Sequence, residues 1–236
     1  MSRKGFTLVE LLVVIAIIVA LAALSTPVIL QQKKKADKVQ AVNNCKQIFL
    51  ALMDFDQDAG SFPDANTAAA SVSSQAFTGN TSNRLLGQLI AEGYTTSEEI
   101  FFAKGGNPSG NKRPDNVISP TTQILAAGEV GFSYTLVTGG TTTGAGVRGL
   151  STSDNGGIPL LCTPVASGGT DATFKPEPFG EIGVYLRIDG SAQTGRINKT
   201  DSKVRIAGNR GLFQTGQGTV WGQGAAALTP SVLLPE

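Results

Sequence analysis

The sequence predicts an α+β protein in which a long amino-terminal helix packs on a head built around an antiparallel sheet. Three observations predict it. Residues 11–30 form an uncharged apolar run, apolar residues at helical spacing continue to about residue 58, and short β-rich runs bounded by glycine or proline fill the later half. The order of a long helix, small helices and then strands is typical of an α+β layout.

The apolar run is long enough to cross a bilayer. Leu11 to Leu30 are 20 residues without a charge, about 30 Å as a helix, which matches the hydrocarbon core of a membrane. Glu10 is the single charged residue between Phe6 and Leu30. An acidic side chain at the centre of a span costs about 2.5–3.5 kcal/mol, and less near an end. We therefore expect Glu10 to have a functional partner.

Three other interpretations of this segment compete, and the residues alone leave the first two open. Arg3 and Lys4, followed by Ala20-Leu21-Ala22, fit a cleaved secretory signal peptide, although Glu10 interrupts its apolar region. An ordinary single-span anchor explains the length but leaves Glu10 unexplained. A core helix of a globular domain fits poorly, because the segment is apolar on all of its faces.

The segment GFTLVELLVVIAIIVALAAL, which starts at Gly5, closely resembles the class III signal of type IV prepilins and type II secretion pseudopilins. The resemblance implies that a membrane peptidase cuts between Gly5 and Phe6 and methylates the new amino terminus. It also implies assembly roles for Glu10 and Pro27. The residues agree, since Gly5 lacks a Cβ that would hinder the scissile bond and Pro27 removes a helical hydrogen bond.

The same resemblance implies a division of the chain into segments and a set of binding partners. It implies a leader at 1–5, a transmembrane and filament-core helix at 6–30, an amphipathic continuation at 31–59 and a globular α+β head at 60–236. The implied partners are a prepilin peptidase and N-methyltransferase, other pilin-like subunits, an inner-membrane assembly platform and the membrane itself. Glu10 would pair with the amine of a neighbouring subunit, because opposite charges offset each other's desolvation.

The implied location is the bacterial inner membrane, with one span, a cytoplasmic leader and a periplasmic or extracellular head, and afterwards a filament. The flanking charges oppose this orientation. Only Arg3 and Lys4 precede the span, whereas four lysines follow it, at positions 33, 34, 35 and 38. By itself the positive-inside rule favours the reverse, but a long domain after a span translocates largely regardless of charge.

Beyond the span, apolar residues recur at helical spacing and predict an amphipathic helix that packs on the head. These residues are Val39, Val42, Cys45, Ile48, Phe49, Leu52, Met53 and Phe55. Gly60 and Pro63 are expected to end the helix. The acids Asp54, Asp56 and Asp58 alternate as in a calcium loop, but the sixth position holds Ala59 rather than glycine. They are predicted to be solvated, and no metal site is expected.

The head is predicted to contain a short helix, a second helical turn at residues 96–99 and then strands. The helix covers residues 83–93, with Ser82 as its N-cap. Strands are predicted at 132–138, 158–165, 182–188, 192–197 and 203–207, and Asp189-Gly190 marks a hairpin turn. The apolar carboxyl-terminal tail is expected either to dock on the head or to fray.

The amino-acid composition excludes several classes of function. The chain has no histidine, which excludes Ser-His and Cys-His catalysis and histidine-ligated zinc. A net charge of +1 gives no reason to expect a nucleic-acid partner, and no cofactor motif is present. Cys45 and Cys162 either form a disulfide or stay as two buried thiols. The leading hypothesis is a structural filament subunit, and a membrane-tethered binding module or an anchored enzyme are the alternatives.

Overall fold

A single helix dominates the amino-terminal quarter of the chain. The computed structural model describes residues 5–70, 81–117, 124–139, 146–222 and 227–236. Helix α1 runs from Leu8 to Ala59, 52 residues, and is about 78 Å long. Gly60 ends it in the left-handed conformation (φ 77°), and its N–H donates to the Asp56 carbonyl. The predicted uninterrupted helix to about residue 58 is confirmed.

Short helices follow α1. They are α2 (Ala65–Ala70), α3 (Ser82–Leu86), α4 (Gln88–Ala91) and a 3-10 helix at Glu98–Phe101. The helix predicted at 83–93 is therefore two short helices joined at Gly87. The predicted N-cap was wrong by one residue, because Thr81 holds that position. The buried Ser82 hydroxyl instead donates to the Leu233 carbonyl and accepts from the Tyr134 N–H.

The head is organised around a five-stranded antiparallel sheet of order β6-β5-β2-β1-β9. Its strands are β1 (Ser133–Gly139), β2 (Pro159–Thr163), β5 (Ile182–Arg187), β6 (Ala192–Arg196) and β9 (Leu228–Leu233). Two small ribbons pair β3 (Val165–Ser167) with β4 (Thr173–Phe174), and β7 (Arg205–Ile206) with β8 (Arg210–Gly211). The predicted strands and the hairpin at Asp189-Gly190 are confirmed, and so is the α+β class.

The carboxyl-terminal tail docks as the edge strand β9, the first of the two expected outcomes. It pairs with β1 from Tyr134↔Leu233 to Gly139↔Leu228. Pro230 lies inside this strand and cannot donate a ladder hydrogen bond, which is tolerated at an edge. A proline in an apolar tail is a weak strand signal, and for this reason the sequence did not predict β9.

The carboxyl-terminal half of α1 packs against β5, β6 and the 3-10 helix. Of the predicted apolar face, Cys45, Ile48, Leu52 and Phe55 are buried, whereas Val39 is 54% exposed. The buried face also contains residues that hydrophobic spacing missed: Ala41, Asn44, Ala51 and Asp56. Small or polar side chains let the helix approach the sheet closely, and periodicity of apolar residues alone does not find them.

Candidate functional site: the exposed half of the long helix

The amino-terminal half of α1 lies outside the head. Every residue from 5 to 36 is exposed, including large apolar side chains such as Phe6 (88%) and Leu24 (75%). An exposed apolar surface of this size requires lipid or protein to cover it. Within the described residues, α1 is the one helix long and apolar enough to cross a membrane.

Glu10 is positioned by its own helix terminus. Its Oε2 accepts hydrogen bonds from the Thr7 backbone N–H and from the Thr7 hydroxyl, both at 2.8 Å. The Glu10 N–H donates in return to the Thr7 hydroxyl oxygen at 3.3 Å. This reciprocal arrangement is a capping box. Thr7 therefore fixes the carboxylate through one oxygen and supplies no opposite charge to it.

Thr7 contacts the candidate site residue Glu10 and was not identified from the sequence. Its signal was available, because a threonine three residues before a glutamate at the start of an apolar run is the pattern of a capping box. The structure places Gly5, Phe6 and Glu10 next to one another at this end of the molecule, all exposed.

Pro27 lies within α1, which continues through it. It has no N–H, so the carbonyl four residues earlier has no helical donor from this position. Directly before it, the Ser25 and Thr26 hydroxyls donate to the carbonyls of Leu21 and Ala22, each at 2.8 Å. Such back-bonding weakens and often bends helices. Both features weaken the helix around Pro27.

The helix enters the head at Asp37. Lys104 lies 3.5 Å from the Asp37 carboxylate, and Asn44 Nδ2 donates to the carbonyls of Glu99 (3.2 Å) and Phe102 (2.9 Å). The exposed lysines at 33–35 lie between this junction and the apolar half. Charged side chains directly after a span are typical of a membrane–water boundary.

Cys45 and Cys162 are both free and buried, which corresponds to the second of the two alternatives for this pair. Burial raises the pKa of both thiols, because it disfavours the charged thiolate. Cys162 Sγ also donates a weak hydrogen bond to the Ser133 carbonyl at 3.9 Å.

The acids at the end of α1 correct one prediction. Asp56 is buried rather than solvated, and its Oδ2 accepts from the Thr152 N–H at 3.0 Å and from the Thr152 hydroxyl. Asp58 accepts from the Tyr94 hydroxyl at 2.8 Å. These contacts attach the helix end to the head, so Asp56 and Asp58 have separate structural partners and do not converge on one point.

The family comparison concerns this same amino-terminal region. The family description "Prokaryotic N-terminal methylation motif" matches residues 1–26. This segment contains Gly5, Phe6, Thr7 and Glu10. The amino terminus of this chain is therefore similar to that of type IV prepilins and type II secretion pseudopilins.

One curated protein is similar to part of the chain. The type II secretion system core protein G of Escherichia coli (strain K12) is 39% identical over 71 residues, which are 30% of this chain. The match spans about half of that relative's length (49%). No solved structure gives a significant match. A long apolar helix before an antiparallel-sheet head fits a pilin-like fold and the single-pass anchoring typical of this family.

Proposed function

We propose that this chain is a structural subunit, a pilin or pseudopilin, of a type II secretion or type IV pilus-like filament. A peptidase cuts between Gly5 and Phe6, and Phe6 is N-methylated before assembly. The observation that carries the proposal is the exposed helix of residues 5–36, in which Glu10 is the single acidic residue. The curated relative named above supports the secretion-filament alternative.

Two environments can cover an apolar helix that the rest of its own chain leaves exposed on all faces. Lipid covers it in the membrane, and the equivalent helices of other subunits cover it in a filament. Moving from the first to the second exchanges apolar contacts for apolar contacts, so the hydrophobic effect adds little net driving force. Polar contacts that exist only in the filament therefore select the assembled state and its register.

Glu10 supplies such a contact. Thr7 holds Oε2, and Oε1 accepts no hydrogen bond from the part of the chain that the structure describes. Cleavage after Gly5 creates a positively charged amine on Phe6 of each subunit. The amine of an adjacent subunit fits the remaining carboxylate oxygen, and the pairing offsets the cost of keeping both charges in apolar surroundings. Thr7 is then a positioning residue for this pair.

The test is an assembly assay on the full chain in its native host. Removing one partner of a buried ion pair costs about 3–5 kcal/mol, so Glu10→Ala should insert in the membrane normally but fail to form crosslinkable multimers. Glu10→Gln separates charge from size and should also fail. Gln31→Ala, an exposed polar change in the same half of the helix, is the matched control and should assemble.

The positioning role of Thr7 has its own variants. Thr7→Val removes the hydroxyl but keeps the branched shape, and we expect a partial loss of multimers. Thr7→Ser keeps the hydroxyl and should restore them. Wild-type levels of multimers in Glu10→Ala would contradict the proposed function and favour a membrane-tethered binding module that does not polymerise.

A further inference from the structure

A notch lies where α1 enters the head, directly after the apolar run. One wall is a face of α1 that carries Leu30, Lys33, Lys34 and Asp37, and this spacing places side chains on one side of a helix. The other wall belongs to the head. The notch has a volume of about 540 Å³, within the range of about 300–1,000 Å³ that is usual for small-molecule sites. It is therefore large enough to hold the polar headgroup of a lipid.

The notch carries a net positive charge. Lys33, Lys34 and Lys104 line it together with the carboxylates of Asp37 and Glu177, so three positive charges face two negative ones. Lys104 is already paired, because its Nζ lies 3.5 Å from Asp37 Oδ2. Lys33 and Lys34 are exposed and form no ion pair with any residue that the structure describes. One further negative charge would neutralise the notch, and these two lysines are available to bind it.

The depth of the two lysines in a membrane indicates the source of that negative charge. The apolar run ends at Leu30, and at a rise of about 1.5 Å per residue Lys33 and Lys34 follow it by about 4.5 and 6 Å. The headgroup region on each side of a bilayer is about 5–7 Å thick, since the whole bilayer measures about 40–45 Å and its hydrocarbon core about 30 Å. Both lysines therefore lie at the level of the lipid phosphates when the apolar run spans the hydrocarbon core.

We propose that the notch binds the headgroup of an anionic phospholipid with one negative charge, such as phosphatidylglycerol, with its phosphate against Lys33 and Lys34. The acyl chains follow the apolar surface of α1 that ends at Leu30, a side chain that is 57% exposed. The bound lipid neutralises the notch and contacts both α1 and the head, so it holds the head at a defined depth on the membrane surface. The inference rests on membrane anchoring by α1 and not on cleavage or polymerisation.

The test is native mass spectrometry of the full chain in an uncharged detergent, titrated with phosphatidylglycerol or with phosphatidylcholine. We expect one phosphatidylglycerol per chain and weaker binding of phosphatidylcholine, because the lysines repel its ammonium group. Lys33→Gln and Lys34→Gln should each weaken phosphatidylglycerol binding about fivefold, the change that corresponds to about 1 kcal/mol for each basic residue at an anionic surface. Glu177→Gln should tighten this binding, because it removes a negative charge from the notch.

Lys35→Gln is the matched control. It removes the same charge from the next position of α1, and Lys35 lies outside the notch, so binding should stay nearly unchanged. Equal losses in Lys35→Gln and Lys33→Gln would overturn the proposal, because the attraction would then be a diffuse effect of surface charge. Inorganic phosphate at the same concentration should not displace the lipid. Displacement by phosphate would show that the notch recognises a free anion and would contradict the assignment to a lipid.

An acidic surface of a second copy of the chain is the competing occupant of the notch. In that case Lys33→Gln and Lys34→Gln would lower crosslinking between copies and leave phosphatidylglycerol binding unchanged, which would overturn the lipid site. The result is separate from the assembly assay on Glu10. Equal binding of phosphatidylglycerol and phosphatidylcholine by the wild type contradicts the lipid site whether or not multimers form, and wild-type multimers in Glu10→Ala contradict the filament proposal whether or not the lipid binds.

Discussion

The two halves of α1 share one helical backbone and have opposite surroundings. Residues 5–36 are exposed on every side, whereas from Ala41 onward one face of the helix is buried against the sheet. The first half is apolar all round, and the second has an apolar stripe with polar residues opposite. Both halves are therefore helical although their surroundings differ. The distribution of apolar residues around the helix axis determines what each half contacts.

This contrast divides the effects of substitutions. The carboxyl-terminal half is part of the head's core, so changes there act on the free energy of unfolding. The amino-terminal half makes no contribution to that core, so changes there act on whatever covers it, lipid or neighbouring helices. A substitution that violates this division would show that the halves are coupled.

The largest expected effect comes from one leucine in each half. Leu52 is 0% exposed and Leu12 is 56% exposed. Leu52→Ala should lower the unfolding free energy of the head by about 2–5 kcal/mol, the usual cost of such a cavity. Leu12→Ala should leave it unchanged. Denaturant unfolding in detergent, followed by fluorescence of the buried Trp221, measures both, and equal effects would contradict the division.

A smaller effect is expected from the acids at the end of α1. Asp56→Ala removes the acceptor for the Thr152 N–H and hydroxyl, and it should cost about 1–3 kcal/mol because two hydrogen bonds to a buried carboxylate are lost. Asp54→Ala is the matched change at an exposed position and should be near neutral. The same unfolding assay compares them. Equal stability of the two variants would show that Asp56 does not attach the helix to the head.

The smallest effect is a pH dependence in the turn that meets Asp56. Although burial alone raises the pKa of Asp154, hydrogen bonds from Arg148 and the Ser151 N–H hold it below its usual value. Because folding lowers this pKa, the ionised carboxylate stabilises the fold above about pH 4. The stabilisation is lost as the pH falls through the pKa of the folded state. Asp154→Asn should cost up to about 1 kcal/mol at pH 7.

Unfolding of this variant and the wild type at several pH values checks the sign. The difference between them should shrink as the pH falls below about 4, where the wild-type carboxyl becomes protonated. A difference that grows on acidification would show that Asp154 is not stabilised as a carboxylate.

Features with short-range signals were predictable from the sequence. The length of α1, its end at Gly60, the β5–β6 hairpin and the Phe6–Glu10 region all have such signals, namely apolar runs, glycine turns and a specific motif. Features that depend on contacts between distant segments were not predictable in this way. Asp56 accepts a hydrogen bond from Thr152, 96 positions away, and the Ser82 hydroxyl contacts Leu233 and Tyr134, 151 and 52 positions away.

The amino terminus of the full chain, isolated from its native membranes, tests the central claim most directly. Mass spectrometry of the first peptide should find a chain that begins at Phe6 and carries one N-methyl group. That result would supply the amine that is proposed to pair with Glu10. A chain that retains Met1 or Ser2, or one that begins at Ala23 after a signal-peptide cut, would lack that amine and contradict the proposed assembly contact.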